Sequence, residues 1–193
     1  MFTVVYDVDD VLNNLNEYVE AQTKVPMSKL KNFDITKNNN LTEEEKRLVL
    51  YYYQHSETFK HLKFRKAAYR IFDIEKTGKA RVVIHSNNFN KSIALIKYNM
   101  LMAQIPGISP EKVSLAVGNH DAKQAFPNTD IVIDDCLDNL LKYPKECIKI
   151  VIDKPWNHPR TYGYKSDGAI GVTRVGSLSA AVELVEKIVN LHK

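Results

Sequence analysis

Short apolar runs separated by longer amphipathic segments dominate the hydrophobic pattern of this chain. The runs are rich in β-branched and aromatic residues, as buried strands are. They cover residues 2–6, 81–85, 112–117, 130–133 and 147–152. Apolar positions at helical spacing predict three helices over residues 90–104, 136–143 and 177–192. This alternation predicts an α/β fold in which a parallel sheet carries helices on both faces.

The interval 15–79 breaks the alternation, because its pattern is helical, polar and aromatic and holds no apolar run of strand type. Its clearest helix start is Thr42 followed three residues later by Glu45, a spacing that predicts a capping box. We therefore expect an inserted α-helical cap over 15–79. The sheet-bearing core would then consist of residues 1–14 and 80–193.

Composition and charge exclude several classes of protein. The chain has 193 residues, of which 44% are hydrophobic and 26% charged, as in ordinary globular proteins. No apolar run approaches the ~20 residues of a membrane span, and the first residues form no basic leader, so we expect a cytoplasmic protein without a membrane partner. Residues 21–79 hold 13 Lys and Arg against 7 Asp and Glu. Without a dense basic stripe, this excess indicates a solvated helical face or a small anionic ligand, not a nucleic-acid polymer.

The residues that could carry chemistry stand at the ends of predicted strands. They are Asp7 and Asp9 after the first strand, Ser86 after the second, Lys123 in the connection before the fourth, and Asp134 and Asp135 after the fourth. Open α/β sheets bind ligands at the carboxyl ends of their strands, so we expect these side chains to converge. Clustered carboxylates repel one another unless a cation offsets their charge.

This set of side chains suits phosphoryl transfer. Magnesium takes oxygen ligands, keeps several waters and binds substrate phosphates, so it fits a site formed by Asp7, Asp134 and Asp135. A carboxylate can act as the nucleophile, while the Ser86 hydroxyl and the Lys123 ammonium suit phosphate oxygens. We therefore predict Mg²⁺ as the cofactor and a small phosphate ester as the substrate.

The ordered set of motifs resembles the haloacid dehalogenase-like (HAD) phosphatase superfamily. The run Val-Val-Tyr-Asp7-Val-Asp9-Asp10-Val resembles its first motif, Ser86 its second, Lys123 its third, and Ile-Val-Ile-Asp134-Asp135 its fourth. Their order along the chain matches the superfamily, and the resemblance extends over nearly the whole sequence. It implies a HAD-like Rossmannoid sheet with an inserted helical cap of the C1 type.

A closer resemblance links the chain to the 5′(3′)-deoxyribonucleotidase branch. It rests on the Asp-Val-Leu continuation of the first motif, the short spacing from Lys123 to Asp134, and the late segment Lys-Pro-Trp156-Asn157. Members of this branch carry a cap between the first and second motifs, where 15–79 lies. The resemblance implies a magnesium-dependent phosphomonoesterase acting on nucleoside monophosphates, with deoxyribonucleotides preferred, and a homodimer as the candidate assembly.

The resemblance also implies a role for each acid. Asp7 is the nucleophile that forms an aspartyl-phosphate, which divides one difficult hydrolysis into two steps. Asp9 protonates the leaving oxygen and then activates the water that clears the intermediate. Mg²⁺ is held by Asp7, the Asp9 backbone carbonyl and Asp134, while Asp135 orients a water of the metal.

The phosphate-binding residues leave two alternatives open. Ser86 and Lys123 are expected to hold the transferring phosphoryl group, and Asn87 can present donors to it. Ser86 and Asn87 can equally cap the helix that follows. Lys112, at a more distant spacing, competes with Lys123 for the role of phosphate lysine.

Two positions depart from the resemblance and bear on the substrate. Asp10 stands where Gly or Thr is commoner, and Leu15 lies near the place where animal members carry a substrate-stacking aromatic residue. Base recognition is therefore open, and the alternatives are a phosphatase for another small phosphate ester or a non-catalytic binding protein. A phospho-acceptor receiver domain does not fit, because receivers place the acidic pair before the lysine, whereas here it comes last.

Overall fold

The computed structural model describes residues 1–118 and 122–191, and these contain a six-stranded parallel sheet. The strand order is β3-β2-β1-β4-β5-β6. The strands are β1 (Phe2–Tyr6), β2 (Ala80–Asn88), β3 (Val113–Val117), β4 (Ile131–Asp134), β5 (Ile148–Ile152) and β6 (Val172–Val175). The predicted fold class is confirmed, and each of the five predicted strands is present.

Six α-helices accompany the sheet in the described residues. They are α1 (Leu15–Thr23), α2 (Glu43–Gln54), α3 (Ser56–Lys60), α4 (Lys91–Gln104), α5 (Leu137–Leu141) and α6 (Leu178–Leu191). Helices α4 and α6 follow the predicted ranges, except that residue 192 lies outside the described part of the chain. Helix α5 ends before the predicted residue 143, because Pro144 disfavours a helical backbone at the residue preceding it.

Both faces of the sheet are covered, and successive strand residues point to opposite faces. One face packs against α6 and the other against α5. The first face carries Val4, Tyr6, Val82, Ile84, Ile131 and Ile133 among its buried residues. The second carries Val5, Val83, Val132 and Val151. This arrangement confirms the prediction drawn from the continuous apolar runs.

The segment between β1 and β2 has a hydrophobic cluster of its own. The buried members from this segment are Leu15, Val19, Val25, Met27, Leu30, Ile35, Leu41, Val49, Phe59 and Leu62. Ile93 of α4 and Trp156, from the loop after β5, pack into the same cluster. The cap therefore rests on the edge of the sheet where α4 begins.

The start of α2 shows the predicted capping box. The Thr42 hydroxyl accepts from the Glu45 backbone N–H at 3.2 Å, and the Glu45 carboxylate accepts from the Thr42 backbone N–H at 2.8 Å. These two bonds satisfy two of the donors that a helix leaves unpaired at its N-terminus.

The last part of the inserted interval packs differently from the rest. Phe64, Ala68, Ile71, Phe72 and Ile74 belong to the cluster that covers the sheet and not to the cap cluster. The cap boundaries at residues 15 and 79 stay a prediction, and the packing shows that the returning chain contributes to the core before β2 begins.

Strand β6 was not predicted, and its composition explains why. Its sequence is Val-Thr-Arg-Val, of which Val172 alone is buried. Arg174 is half-buried and donates to Asp153 at 2.7 Å and to Asp167 at 2.8 Å. An edge strand of this kind has no continuous apolar run to reveal it. None of the described helices is both long and apolar enough to span a bilayer.

Candidate active site

Three carboxylates meet at the carboxyl end of the sheet, between β1 and β4. From β1 the chain builds β2 and β3 on one side and then crosses to β4 on the other, so the strand order reverses here. Asp7 directly follows β1, and its backbone N–H donates to the Ile133 carbonyl of β4 at 2.9 Å. One carboxylate oxygen from each of Asp7, Asp134 and Asp135 lies within 4.8 Å of the others. Acids predicted from two separate motifs therefore share one site.

Lys123 lies between two of these carboxylates. Its Nζ donates to Asp7 Oδ1 at 2.6 Å and to Asp134 Oδ2 at 2.7 Å. Burial disfavours the charged form, but the carboxylates of Asp134 and Asp7 outweigh it and raise the pKa of Lys123. The other candidate, Lys112, instead donates to Glu75 Oε2 at 2.6 Å. The structure thus brings Lys123 to the carboxylates and places Lys112 elsewhere.

Burial and mutual repulsion weaken the acidity of the cluster. Burial raises the pKa of Asp7 to about 7, with the Lys123 ammonium opposing the shift and the Asp134 charge adding to it. Burial and then the charge of Asp134 raise the pKa of Asp135 well above its usual range. Without a cation, Asp7 and Asp135 therefore hold their protons to higher pH than ordinary carboxylic acids do. A divalent cation would displace those protons and offset the repulsion.

Asp9 is held apart from this cluster by two donors. Its Oδ1 accepts from Asn13 Nδ2 at 2.9 Å, and its Oδ2 accepts from Lys97 Nζ. The side chain keeps 24% of its surface exposed and lines the cavity described below. Asp9 is therefore oriented towards a ligand without being one of the three clustered carboxylates.

Lys97 is a site residue that the sequence analysis missed. It is buried, and its Nζ donates to the Asn87 carbonyl at 3.2 Å and lies 4.9 Å from the centre of the Phe59 ring. A signal for it exists in the sequence, because Ile93, Lys97 and Leu101 share the buried stripe of α4 at a spacing of four residues. A lysine on an apolar helical stripe indicates a buried partner for its charge.

Ser86 and Asn87 belong to β2, which continues to Asn88, three residues beyond the predicted end. Both residues line the cavity, and Ser86 is buried. The capping role that was left open for them falls to Asn90, whose side chain accepts from the Ile93 N–H at 2.9 Å. Asn88 donates to the Ala116 carbonyl of β3 at 3.0 Å, so it ties two strands together.

The loop after β5 supports Asp135. The Trp156 indole N–H donates to Asp135 Oδ2 at 3.0 Å. The Asn157 side chain donates to the carbonyl oxygens of Asp135 at 2.8 Å and Ile152 at 2.7 Å. The segment Lys-Pro-Trp156-Asn157, which contributed to the sequence resemblance, therefore holds Asp135 in place through its side chain and its backbone.

A cavity of about 850 Å³ lies above the carboxylates and beneath the cap. The core supplies Asp7, Asp9, Asp134, Asp135, Ser86, Asn87 and Lys97 to its floor. The cap supplies a roof of apolar and aromatic side chains, Leu15, Leu30, Phe33, Ile35, Leu50, Tyr53 and Phe59, interspersed with the polar side chains of Asn16, Asn32, Asp34, Thr36, Lys37 and Gln54. The cavity thus combines a charged end, rich in carboxylates, with an end that offers apolar and aromatic surface as well as polar groups.

Comparisons with known proteins support the fold. Neither a protein-family model nor a curated protein sequence matches the chain. A hydrolase from Pseudomonas syringae superposes with a TM-score of 0.54 at 13% identity, covering 97% of this chain and 99% of that chain. A phosphonoacetaldehyde hydrolase-like protein from Oleispira antarctica superposes with a TM-score of 0.51 at 8% identity, covering 100% and 95%.

A haloacid dehalogenase-like hydrolase from Streptococcus pneumoniae is also similar, with a TM-score of 0.49 at 12% identity, covering 95% of this chain and 98% of that one. At identities this low, similarity shows the fold alone. The fold is a parallel, Rossmann-like α/β sheet with a buried cluster of three carboxylates at the carboxyl end of its strands.

Proposed function

We propose that this protein is a magnesium-dependent phosphomonoesterase that hydrolyses nucleoside monophosphates, preferably deoxyribonucleotides, through an aspartyl-phosphate. The observation that carries the proposal is the two-ended cavity. Its floor offers acids and lysines suited to a phosphate group, and its roof offers apolar and aromatic side chains suited to a nucleoside. A floor without such a roof would serve any small phosphate ester equally well.

The donor set fits magnesium. Asp7 and Asp134 offer carboxylate oxygens beside one another, and Asp135 completes the group. Magnesium is commonly held by one or two carboxylates together with waters and substrate phosphate, and this set meets that requirement. When bound there, it would neutralise the charge that develops on the transferring phosphoryl group.

The nucleophile in this proposal is Asp7. Its carboxylate stands at the switch point of the sheet, where Lys123 offsets part of its charge. It attacks the phosphorus atom in line with the leaving oxygen and forms an acyl-phosphate bond while the ester bond breaks. The Ser86 hydroxyl and the Asn87 side chain lie at the same edge and would hold the phosphoryl oxygens, together with Lys123.

Asp9 would transfer the protons. It protonates the alcohol oxygen as the ester bond breaks, and then removes a proton from the water that cleaves the aspartyl-phosphate. Asn13 and Lys97 donate to its two carboxylate oxygens, so the orientation of the carboxylate is set before either step. Phe59 of the cap lies against Lys97, which places the cap close to this proton-transfer group.

The test is phosphate release from a panel of 5′- and 3′-mononucleotides, sugar phosphates and p-nitrophenyl phosphate, with magnesium and with EDTA. Asp7→Asn serves as the blank, because it keeps the shape of the nucleophile and removes its reactivity. We expect magnesium-dependent release concentrated on deoxyribonucleotides and absent in the variant. A preference for sugar phosphates would keep the chemistry and refute the nucleotide substrate. Release that persists in EDTA would refute the magnesium requirement.

A further inference from the structure

A polar corner of the cavity is built around Asp10, a residue that the proposed reaction does not use. The Asp10 backbone has φ of +58°, in the left-handed region that non-glycine residues seldom adopt. Its carboxylate is buried and accepts from the Asn16 backbone N–H at 2.9 Å and from Asn16 Nδ2. Because the NH₂ end of the Asn16 amide faces these acceptor oxygens, the orientation of that amide is fixed.

The other end of the amide has no partner. Asn16 exposes 6% of its surface and lines the cavity. Within residues 1–118 and 122–191, its Oδ1 makes no hydrogen bond. A buried acceptor without a donor is unfavourable, so a bound molecule that offers an N–H or O–H group here would gain from the contact.

Tyr53 brings a second unpaired group to the cavity, from the cap side. It lies in the last turn of α2, is half-buried and lines the cavity. No group in the described parts of the chain hydrogen-bonds to its hydroxyl. Burial, followed by the charges of Asp10, Asp135 and Asp9, raises the pKa of Tyr53, so the hydroxyl stays protonated and can donate. The ring of the preceding residue, Tyr52, packs edge-on against Tyr18 of α1 with 6.5 Å between ring centres, so this end of α2 lies beside the helix that carries Asn16.

We infer that Asn16 and Tyr53 form a hydroxyl-binding subsite for the alcohol part of the substrate. A hydroxyl is the group that matches this pair, since it can donate to Asn16 Oδ1 while accepting from the Tyr53 hydroxyl. The inference rests on the proposed phosphomonoesterase activity and adds to it the class of alcohol: one with a free hydroxyl near the ester, as in the sugar of a nucleotide. Asp10 is a positioning residue here, since it acts by orienting Asn16.

The experiment compares two esters that differ in one hydroxyl, thymidine 5′-monophosphate and its 3′-deoxy analogue, with p-nitrophenyl phosphate as a hydroxyl-free reporter of the chemistry. Tyr53→Phe removes one oxygen and keeps the ring. Tyr52→Phe is the matched control, because Tyr52 is the neighbouring half-buried tyrosine, packs against Tyr18 and Tyr51, and does not line the cavity. We expect Tyr53→Phe to lower kcat/KM for the hydroxyl-bearing ester by about 3- to 30-fold. Tyr53→Phe should leave kcat/KM for the 3′-deoxy analogue and for p-nitrophenyl phosphate unchanged. Tyr52→Phe should leave kcat/KM unchanged for all three esters.

Asn16→Leu should produce the same selective loss, and its melting temperature shows whether it folds. Should Asn16→Leu fail to fold, the result for Tyr53→Phe alone supports or overturns the subsite. Equal losses on all three esters, or no loss on any, would overturn the subsite. If the wild type hydrolyses p-nitrophenyl phosphate but no nucleotide, the nucleotide substrate fails. The variants are then compared on glycerol 1-phosphate, which carries free hydroxyl groups, and on propyl phosphate, which carries none. A loss of kcat/KM confined to glycerol 1-phosphate supports the subsite, and equal losses or no loss overturn it.

Discussion

The floor and the roof of the cavity are built in contrasting ways. On the floor, acids and lysines are buried and paired: Lys123 bridges Asp7 and Asp134, and Lys97 holds Asp9. The roof combines apolar and aromatic side chains with polar ones, all from helices and loops of the cap. In the proposed reaction, these paired charges would hold the reacting groups of the floor in place, whereas the roof would contact the rest of the substrate.

The two regions also differ in what stabilises them. Strand register fixes the floor, because Asp7 and Asp134 follow directly paired residues of β1 and β4. The roof depends on local devices such as the capping box at Thr42 and on packing against Ile93 and Trp156. A substitution in the floor should therefore affect catalysis or global stability, and one in the roof should affect selectivity or local stability.

The largest effect is expected for the proposed nucleophile, Asp7. Asp7→Asn should lower phosphate release from every ester by at least about 10³-fold, because a carboxamide cannot form the aspartyl-phosphate. Phosphate release under magnesium saturation measures it, and circular dichroism shows whether the fold is kept. Residual activity within tenfold of the wild type would contradict the assignment.

Lys123→Met tests the floor as a charge network. Removing the ammonium leaves two buried carboxylates without their cation, and loss of one partner of a buried pair costs about 3–5 kcal/mol of unfolding free energy. Urea denaturation in EDTA measures this loss. Lys112→Met breaks a more exposed pair with Glu75 and is the matched control, with an expected loss below about 1 kcal/mol. Similar losses of unfolding free energy for both variants would show that the buried ion pairs of Lys123 matter no more for stability than the more exposed pair of Lys112.

Lys97→Met tests the link between floor and roof. The substitution keeps much of the side-chain volume but frees the Asp9 carboxylate, so we expect kcat to fall by about 10- to 100-fold with KM changed by less than about threefold. Lys91→Met, at an exposed position of the same helix, should leave both constants unchanged. A change confined to KM would show that Lys97 binds substrate and does not position Asp9.

Magnesium should stabilise the protein in a pH-dependent way. Since the folded pKa of Asp7 is raised to about 7, the folded state binds more protons than the unfolded state between about pH 4 and 7, and the metal-free protein loses stability as pH rises through that window. A bound cation removes this disadvantage. The increase in Tm on adding magnesium should therefore be larger at pH 7.5 than at pH 5. An increase that is equal at both values would argue against binding at these carboxylates.

The smallest effect is expected in the roof. Thr42→Ala removes one side of the capping box and should cost about 1 kcal/mol. Because the floor is untouched, turnover of p-nitrophenyl phosphate should be unchanged while hydrogen exchange in α2 becomes faster. A parallel loss of turnover would show that the two regions are not separable in this way.

The floor could be predicted from the sequence because each of its acids follows a strand with a clear apolar run. Asp7 and Asp134 stand beside each other for that reason alone. Lys97 escaped prediction because a single lysine on an apolar stripe is ambiguous until its partner, Asp9, is known. The choice between Lys123 and Lys112 likewise needed the folded chain, since the sequence does not show which of the two ammonium groups reaches the carboxylates.

The roof could be predicted only as a helical insertion. Which cap side chains face the cavity depends on how short helices and loops pack over one another, and periodicity within one helix does not determine that. Tyr51, Tyr52 and Tyr53 are consecutive, yet Tyr53 alone lines the cavity. The edge strand β6 was missed for a related reason, because its polar residues serve ion pairs and not a buried face.

The measurement that tests the central claim most directly is the mass of the Asp7-bearing peptide after a rapid acid quench. The protein is mixed with magnesium and a deoxyribonucleoside monophosphate, quenched within one turnover and digested. The account predicts one added phosphoryl group on that peptide, absent in EDTA and in Asp7→Asn. Nucleotide hydrolysis with no phosphoryl group on Asp7, or with one on another residue, would contradict it.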